Sequence, residues 1–371
     1  MKSEKYDIII IGGGIIGLAH AALAVENGYK LLLVEKNERA VGASIRNFGL
    51  IWPIGQPQGP KYDRALRSRN RWVDMAKRCG FWCIENGSLH LAHNHEAMDI
   101  LEEYHSKYGH ETQLLTPPQV MEYSSVVNNQ ELLGGLYSKT ELNVDPRQAI
   151  YSITNWLGDH ELCSLRYEEK ALQVESGWVK TTKSTYIADH IIICSGSDFQ
   201  SLYPSVFKES GLIKSKLQML RTKPMDSDFE LGPTLCGGLT LRHYESFAQC
   251  DALETYKSKV AHEMPEYDEW GIHVMISQNS HNELIIGDSH EYGLTFDPFN
   301  KQYVNELILD YMKRFAKIED FSLLENWYGV YAKHPAETEF IAEPEAGVKI
   351  ATGFGGAGMT FSFGFAEEQF H

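Results

Sequence analysis

A chain of 371 residues, 43% hydrophobic and 11% aromatic, is ordered, can bury a sizeable core and exceeds the usual size of one domain. Its formal net charge of -16 comes without a Lys/Arg cluster, which excludes a nucleic-acid backbone as partner and means that an anionic small molecule would need a local group of cations. The six cysteines, Cys79, Cys83, Cys163, Cys194, Cys236 and Cys250, show no paired metal spacing; Cys79 and Cys83 read as two thiols at helical spacing, and the expected setting is the reducing cytoplasm.

In chain order, the apolar run Tyr6 to Ile11 predicts a strand, and the segment from Gly12 to Gly17 a glycine turn that opens a helix near Ile15. A second apolar run, Leu31 to Val34, ends in Glu35. Strand, turn, helix, strand and acid in this order suit an adenine dinucleotide. Gly12 permits the tight turn, Gly14 lets the backbone approach a pyrophosphate, and Gly17 lets helix and sheet pack closely. The phosphates sit over the helix start, where unpaired N–H groups and the helix dipole favour negative charge. Glu35 lies about 20 residues beyond the turn, where a carboxylate can accept from ribose hydroxyls and repels a 2′-phosphate. A secretory leader is not expected, because the apolar start carries Glu4 and Asp7 and is broken by glycines. No run approaches the length of a membrane-spanning helix.

Further along, Trp82 to His93 predicts a strand-turn-strand, Ala97 to Tyr108 an amphipathic helix, and Pro117-Pro118 the start of another. Tyr186 to Gly196 reads as a short polar strand followed by a buried one ending in small residues. Ile213 to Thr222, His273 to Gln278 and Glu283 to Asp288 predict strands of a mixed sheet, and Asp297 to Phe315 a long helix. Val348 to Thr360 is a strand entering a second glycine-rich turn and a helix. No metal site is expected from the 15 histidines.

The loop Val41-Gly42-Ala43-Ser44-Ile45-Arg46-Asn47-Phe48-Gly49, the tip Cys194-Ser195-Gly196 and the turn Gly353-Phe354-Gly355-Gly356-Ala357-Gly358-Met359-Thr360 together resemble the D-amino-acid oxidase family of flavoproteins, which includes glycine oxidase and sarcosine oxidase. The resemblance implies an α/β fold: a Rossmann-like FAD-binding domain with a second, mixed-sheet α+β substrate domain. The FAD-binding domain would be discontinuous, from residues 1–80, 143–212 and 325–371, with residues 81–142 and 213–324 forming the substrate domain. It implies FAD rather than NAD, with contacts from Gly12, Gly14, Ile15, Ile16, Gly17, Glu35, Lys36, Ser44, Arg46, Asn47, Gly49, Ala171 and Cys194 to Gly196. Gly353, Gly355, Gly356, Ala357, Gly358, Met359 and Thr360 would complete the site. Residues 320 to 371 contain no cysteine, so the FAD is expected to be non-covalent.

Members of that family oxidise a C–N bond: hydride leaves the carbon beside an uncharged amine, and the imine hydrolyses. The cofactor does the redox work and the protein orients the substrate, so no acid or base of the hydrolase kind is expected. Where relatives hold the substrate carboxylate with arginine followed by proline, this chain has Tyr331 and Ala332 within Trp327 to Pro335. A simple amino acid would lose its bidentate partner. Segments around Arg221, Arg242, His290 and Met359 resemble a branch linked to aminophosphonate breakdown, with 2-aminoethylphosphonate or an N-methyl derivative as substrate. Arg46, Arg221, Arg242, His273, His290, Tyr331 and His334 are the candidate substrate contacts. Electrons would pass to O2, or to another acceptor. The alternatives are a flavin dehydrogenase of an amino or hydroxy acid with a quinone or protein acceptor, a glycine or sarcosine oxidase, and a subunit in which FAD is structural.

Overall fold

The computed structural model describes residues 5–319 and 321–370. Two sheets, of eight and nine strands, organise the chain, with a small three-stranded sheet besides. In the first, Cys163–Arg166, Leu31–Val34, Lys5–Ile11, Thr185–Ile193 and Val348–Thr352 run parallel in that order. Parallel strands are buried on both faces, which is why Leu31–Val34 is apolar at every position. The helix Ile15–Glu26 is buried along almost its whole length and contacts Gly358–Glu367. At its start it packs closely on the preceding turn: a Cβ on Gly17 would lie 2.0 Å from the Gly12 carbonyl oxygen.

The second sheet runs Glu291–Gly293, Ile213–Thr222, Leu284–Gly287, Met275–Gln278, Thr234–Cys236, Ser88–Ala92, Gly134–Ser138 and Thr112–Leu115, with Leu323–Lys333 paired along Ile213–Thr222. It is mixed, because Thr234–Cys236 is parallel to Ser88–Ala92 while the other pairings are antiparallel. The helices His95–Tyr108, Ala252–Glu263 and Gln302–Phe315 contribute to its core. The small sheet joins Leu50–Ile51, Leu142–Val144 and Cys83–Ile84.

Several local expectations change. Trp82 to His93 contains two strands, but Cys83–Ile84 and Ser88–Ala92 belong to different sheets and do not form a hairpin. Cys79 and Cys83 do not share a helix, since Gly80, at φ 71°, takes the left-handed cap conformation that ends Pro60–Cys79. Thr185–Ile193 is one strand rather than two: its first half pairs with Trp178–Thr181 and its second with Val348–Thr352, so its burial switches midway. The last long helix starts at Gln302, not Asp297, because the carbonyls of Asp297 and Phe299 accept from buried Lys216 Nζ at 2.9 and 3.2 Å. His273 and Asp288 fall just outside the strands Met275–Gln278 and Leu284–Gly287. Leu323–Lys333 lies in the second sheet, so residues 325–371 divide between the two sheets instead of joining the first as a block.

Candidate active site

The strands Lys5–Ile11, Leu31–Val34 and Thr185–Ile193 end side by side at a cavity of about 390 Å³. Gly12 stands there with φ 113°, and a Cβ on it would come within 2.3 Å of the Cys194 carbonyl oxygen. Only glycine fits both the dihedral and the space. The Ile15 N–H, an unpaired donor at the helix start, donates to Ser44 Oγ at 2.9 Å. Ser44 therefore stands at the positive end of the helix, where a phosphate is favoured. Glu35 is buried; one of its oxygens accepts from Gly13 N at 2.8 Å and the other from Asn37 N at 2.9 Å. Oε1 also accepts from Asn37 Nδ2 at 2.9 Å, so it is Oε2 that keeps lone-pair capacity for a hydroxyl.

Lys36 Nζ and Asp198 Oδ2 pair at 3.0 Å at the same cavity. Burial alone would raise the Asp198 carboxyl, but hydrogen bonds from Lys36 and Ser201 hold it down at about 2. Cys194 is no nucleophile, since burial pushes its thiol up to about 12. Of the expected cofactor contacts, Gly17, Arg46 and Gly49 do not line the cavity, while Ala357 and Thr360 line the one beside it. Gly17 and Gly49 instead serve packing, with added Cβ atoms falling 2.0 Å from Gly12 O and 1.9 Å from Val144 O. The glycine cradle, the open helix start and the buried acid fit an adenine dinucleotide.

A second cavity, of about 430 Å³, opens from the first through Asn47, Tyr331, Met359 and the turn Gly353 to Gly356. Tyr331 is buried, and its hydroxyl donates to the Arg46 carbonyl at 2.5 Å. Burial also pushes its phenol up, so it stays neutral. The lone pairs on its oxygen remain able to accept from a substrate N–H. His273, His290 and His334 line this cavity, joined by His243, Tyr244, Asp288 and Lys333. His273 stacks on His243 at 4.0 Å between ring centres, and His290 lies 4.4 Å from His243 and 5.0 Å from His273. Burial is the main cause that holds His290 at about 4, while His243 stands at the exposed edge of the cluster. Burial likewise lowers the Lys333 ammonium.

The arginines go elsewhere. Arg221 pairs with Glu283 at 3.0 Å and Glu325 at 2.9 Å, and Arg242 with Asp268 at 2.6 Å. Arg46 directs Nη1 to the Tyr328 carbonyl at 3.3 Å. None of the three lines either cavity. His243, Asp288 and Lys333 are not among the residues expected from sequence, although His243 adjoins Arg242, Lys333 adjoins His334 and Asp288 lies two residues before His290. The three clustered histidines have ring nitrogens within 4.8 Å of one another, yet come from three separate segments, so local spacing carries no sign of them.

A family model described as FAD dependent oxidoreductase matches residues 7–368. Glycine oxidase of Geobacillus kaustophilus (strain HTA426) is 25% identical over 209 residues, 53% of this chain and 55% of that protein. The match thus spans about half the length of that relative. A D-amino acid dehydrogenase of Helicobacter pylori is 24% identical over 284 residues, 61% of this chain and 67% of that one. In fold, the crystal structure of the Geobacillus kaustophilus glycine oxidase is similar at a TM-score of 0.78 and 20% identity, covering 99% of this chain and 94% of that one. The L-proline dehydrogenase of P. horikoshii gives a TM-score of 0.80 at 20% identity, covering 98% and 92%. The glycine cradle at the tips of the parallel strands and a family match running nearly end to end agree: the chain belongs to the FAD-dependent oxidoreductases of the D-amino-acid oxidase type.

Proposed function

We propose that the protein oxidises the C–N bond of a small amine carrying an anionic group, of the 2-aminoethylphosphonate type or its N-methyl form. The product imine hydrolyses to an aldehyde and an amine, and the electrons pass to oxygen. FAD, when bound, supplies the two-electron acceptor. Gly12, Ser44 and Glu35 would hold its nucleotide end, and the Gly353 to Gly356 turn lies where the two cavities meet.

One observation carries this reading: the second cavity is lined by Lys333 and the histidine cluster and, among the described residues, by no arginine. A carboxylate is best gripped by the planar fork of arginine. A bulkier and more highly charged phosphonate suits several single donors arranged around it. Tyr331 adds to this, because its only proton is committed to the Arg46 carbonyl and is not offered to an anion.

The test is an anaerobic flavin-reduction screen with glycine, sarcosine, 2-aminoethylphosphonate and N-methyl-2-aminoethylphosphonate. Faster bleaching by the phosphonates is the expected result, with peroxide formed in air. A clear preference for the amino acids overturns the proposal.

A further inference from the structure

The cluster of His243, His273 and His290 is over-built for a wall. His273 is only 3% exposed, yet neither of its ring nitrogens has a hydrogen-bond partner. Its Nε2 lies 3.0 Å from Asp288 Oδ1 without the alignment of a hydrogen bond, so among the described residues neither atom has a formed partner. Trp52 lines the same cavity, and its buried Nε1–H is unpartnered as well. Buried polar atoms without partners are costly and rare, and several around one cavity point to a polar ligand.

Two ligands suit clustered imidazoles, a metal ion and an anion. Metal-bound imidazoles direct in-plane lone pairs at one point about 2.0–2.1 Å away, which splays the rings apart. Here His243 and His273 are stacked, 27° between planes and 4.0 Å between centres, and cannot both aim at one ion. Stacked rings do present their edge N–H groups to one side once protonated.

Charge decides what would protonate them. Asp288 faces the cluster from the end of Leu284–Gly287, and Lys333 from the end of Leu323–Lys333. Arg242 is paired with Asp268 at 2.6 Å, and at the rim Lys61 is paired with Glu245 at 2.9 Å. Burial pushes the Tyr331 phenol up, and half-buried Tyr244 and exposed Tyr292, as ordinary phenols, stay neutral with it. Glu337, exposed beside His334, lines the same cavity, so with neutral imidazoles Asp288 and Lys333 cancel while Glu337 leaves the rim negative, and a proton on any one ring opposes a proton on the next. A doubly negative ligand reverses that balance, turning mutual repulsion of the rings into attraction for a shared anion.

We infer that His243, His273 and His290, with Lys333, form the anion anchor of the substrate site and that a phosphonate dianion binds there by drawing protons from solvent onto the histidine stack. His290 Nδ1 is already turned to the Gly271 carbonyl at 3.2 Å, which leaves Nε2 as the atom to gain the proton. This rests on the proposed substrate class but asks a separate question of the same site.

Ethylphosphonate, which lacks the amine and cannot be oxidised, is the probe. It is titrated into the FAD-loaded enzyme by calorimetry at about pH 8.5, above the second ionisation of a phosphonate, in two buffers of different ionisation enthalpy. Uptake of about one proton per ligand is expected, and affinity should fall as pH rises further. His273→Gln should weaken binding roughly tenfold and reduce the uptake, with the flavin spectrum unchanged. If that variant loses FAD, His290→Gln is read the same way, and the wild-type titration stands regardless. Binding with no buffer dependence, or no binding, overturns the anchor even if aminophosphonates bleach the flavin. Conversely, proton-coupled binding without bleaching by any amine supports the anchor and refutes the oxidase reading. A divalent metal present as isolated, whose chelation abolishes ethylphosphonate binding, overturns it in favour of a metal centre.

Discussion

The two adjoining cavities are built on opposite plans. The first is built largely on backbone, with glycines and a helix start at the ends of parallel strands and the buried acid Glu35 beside them. The second is made from side chains delivered by loops and strand ends far apart in the chain, His243, His273, His290 and Lys333 among them. A backbone site suits a ligand shared by a whole family, since it depends on few side-chain identities. A side-chain site can change its ligand with a handful of substitutions.

The largest test of this contrast is Gly12→Ala. Its Cβ would fall 2.3 Å from a backbone oxygen at φ 113°, and neither strain can relax by a rotamer change. We expect purified protein without flavin absorbance while far-UV circular dichroism stays near wild type. A yellow, FAD-saturated variant would break the assignment of the first cavity.

Histidines of the two layers sharpen the comparison through pH. Burial holds His20, in the first layer, at about 4 and His90, in the second sheet, at about 3, against an ordinary value of 6.5. Because the folded state resists protonation, their stability contribution is complete above about pH 6.5 and is lost as pH falls toward those values. The unfolding free energy should drop across that window by an amount on the order of a few kcal/mol, read as lower urea midpoints, and His90→Phe should flatten part of the fall. An unchanged midpoint between pH 7 and pH 4.5 would contradict their buried, neutral state.

Lys333→Met tests the second cavity more locally. It should raise the KM for an anionic amine about tenfold, with little change in FAD affinity, as expected for one lost charge-assisted contact. Equal loss of FAD binding would merge the two sites into one. The smallest effect is expected of Arg242→Gln: its partner Asp268 is about half exposed, so the pair contributes at most about 1 kcal/mol, and KM should move less than about twofold. A large rise in KM would return Arg242 to the substrate.

How much was legible in sequence follows the same divide. Gly12 and Glu35 could be placed because one strand-turn-helix-strand run carries both, whereas Ser44 and Gly353 came only with the family resemblance. Arg221 and Arg242 looked like anion binders because a sequence shows a charge but not its partner, here Glu283, Glu325 and Asp268. Lys333 passed unremarked two residues from Tyr331, although strand alternation sends residues two apart to one face.

The sequence by itself determined the dinucleotide cradle, since a strand, a glycine turn and a helix are local structures set by dihedral preference and apolar period. Only the tertiary structure decided which charges were cancelled and which histidines met. Pairing between distant strand ends depends on how two sheets pack, and no periodicity along the chain encodes that distance.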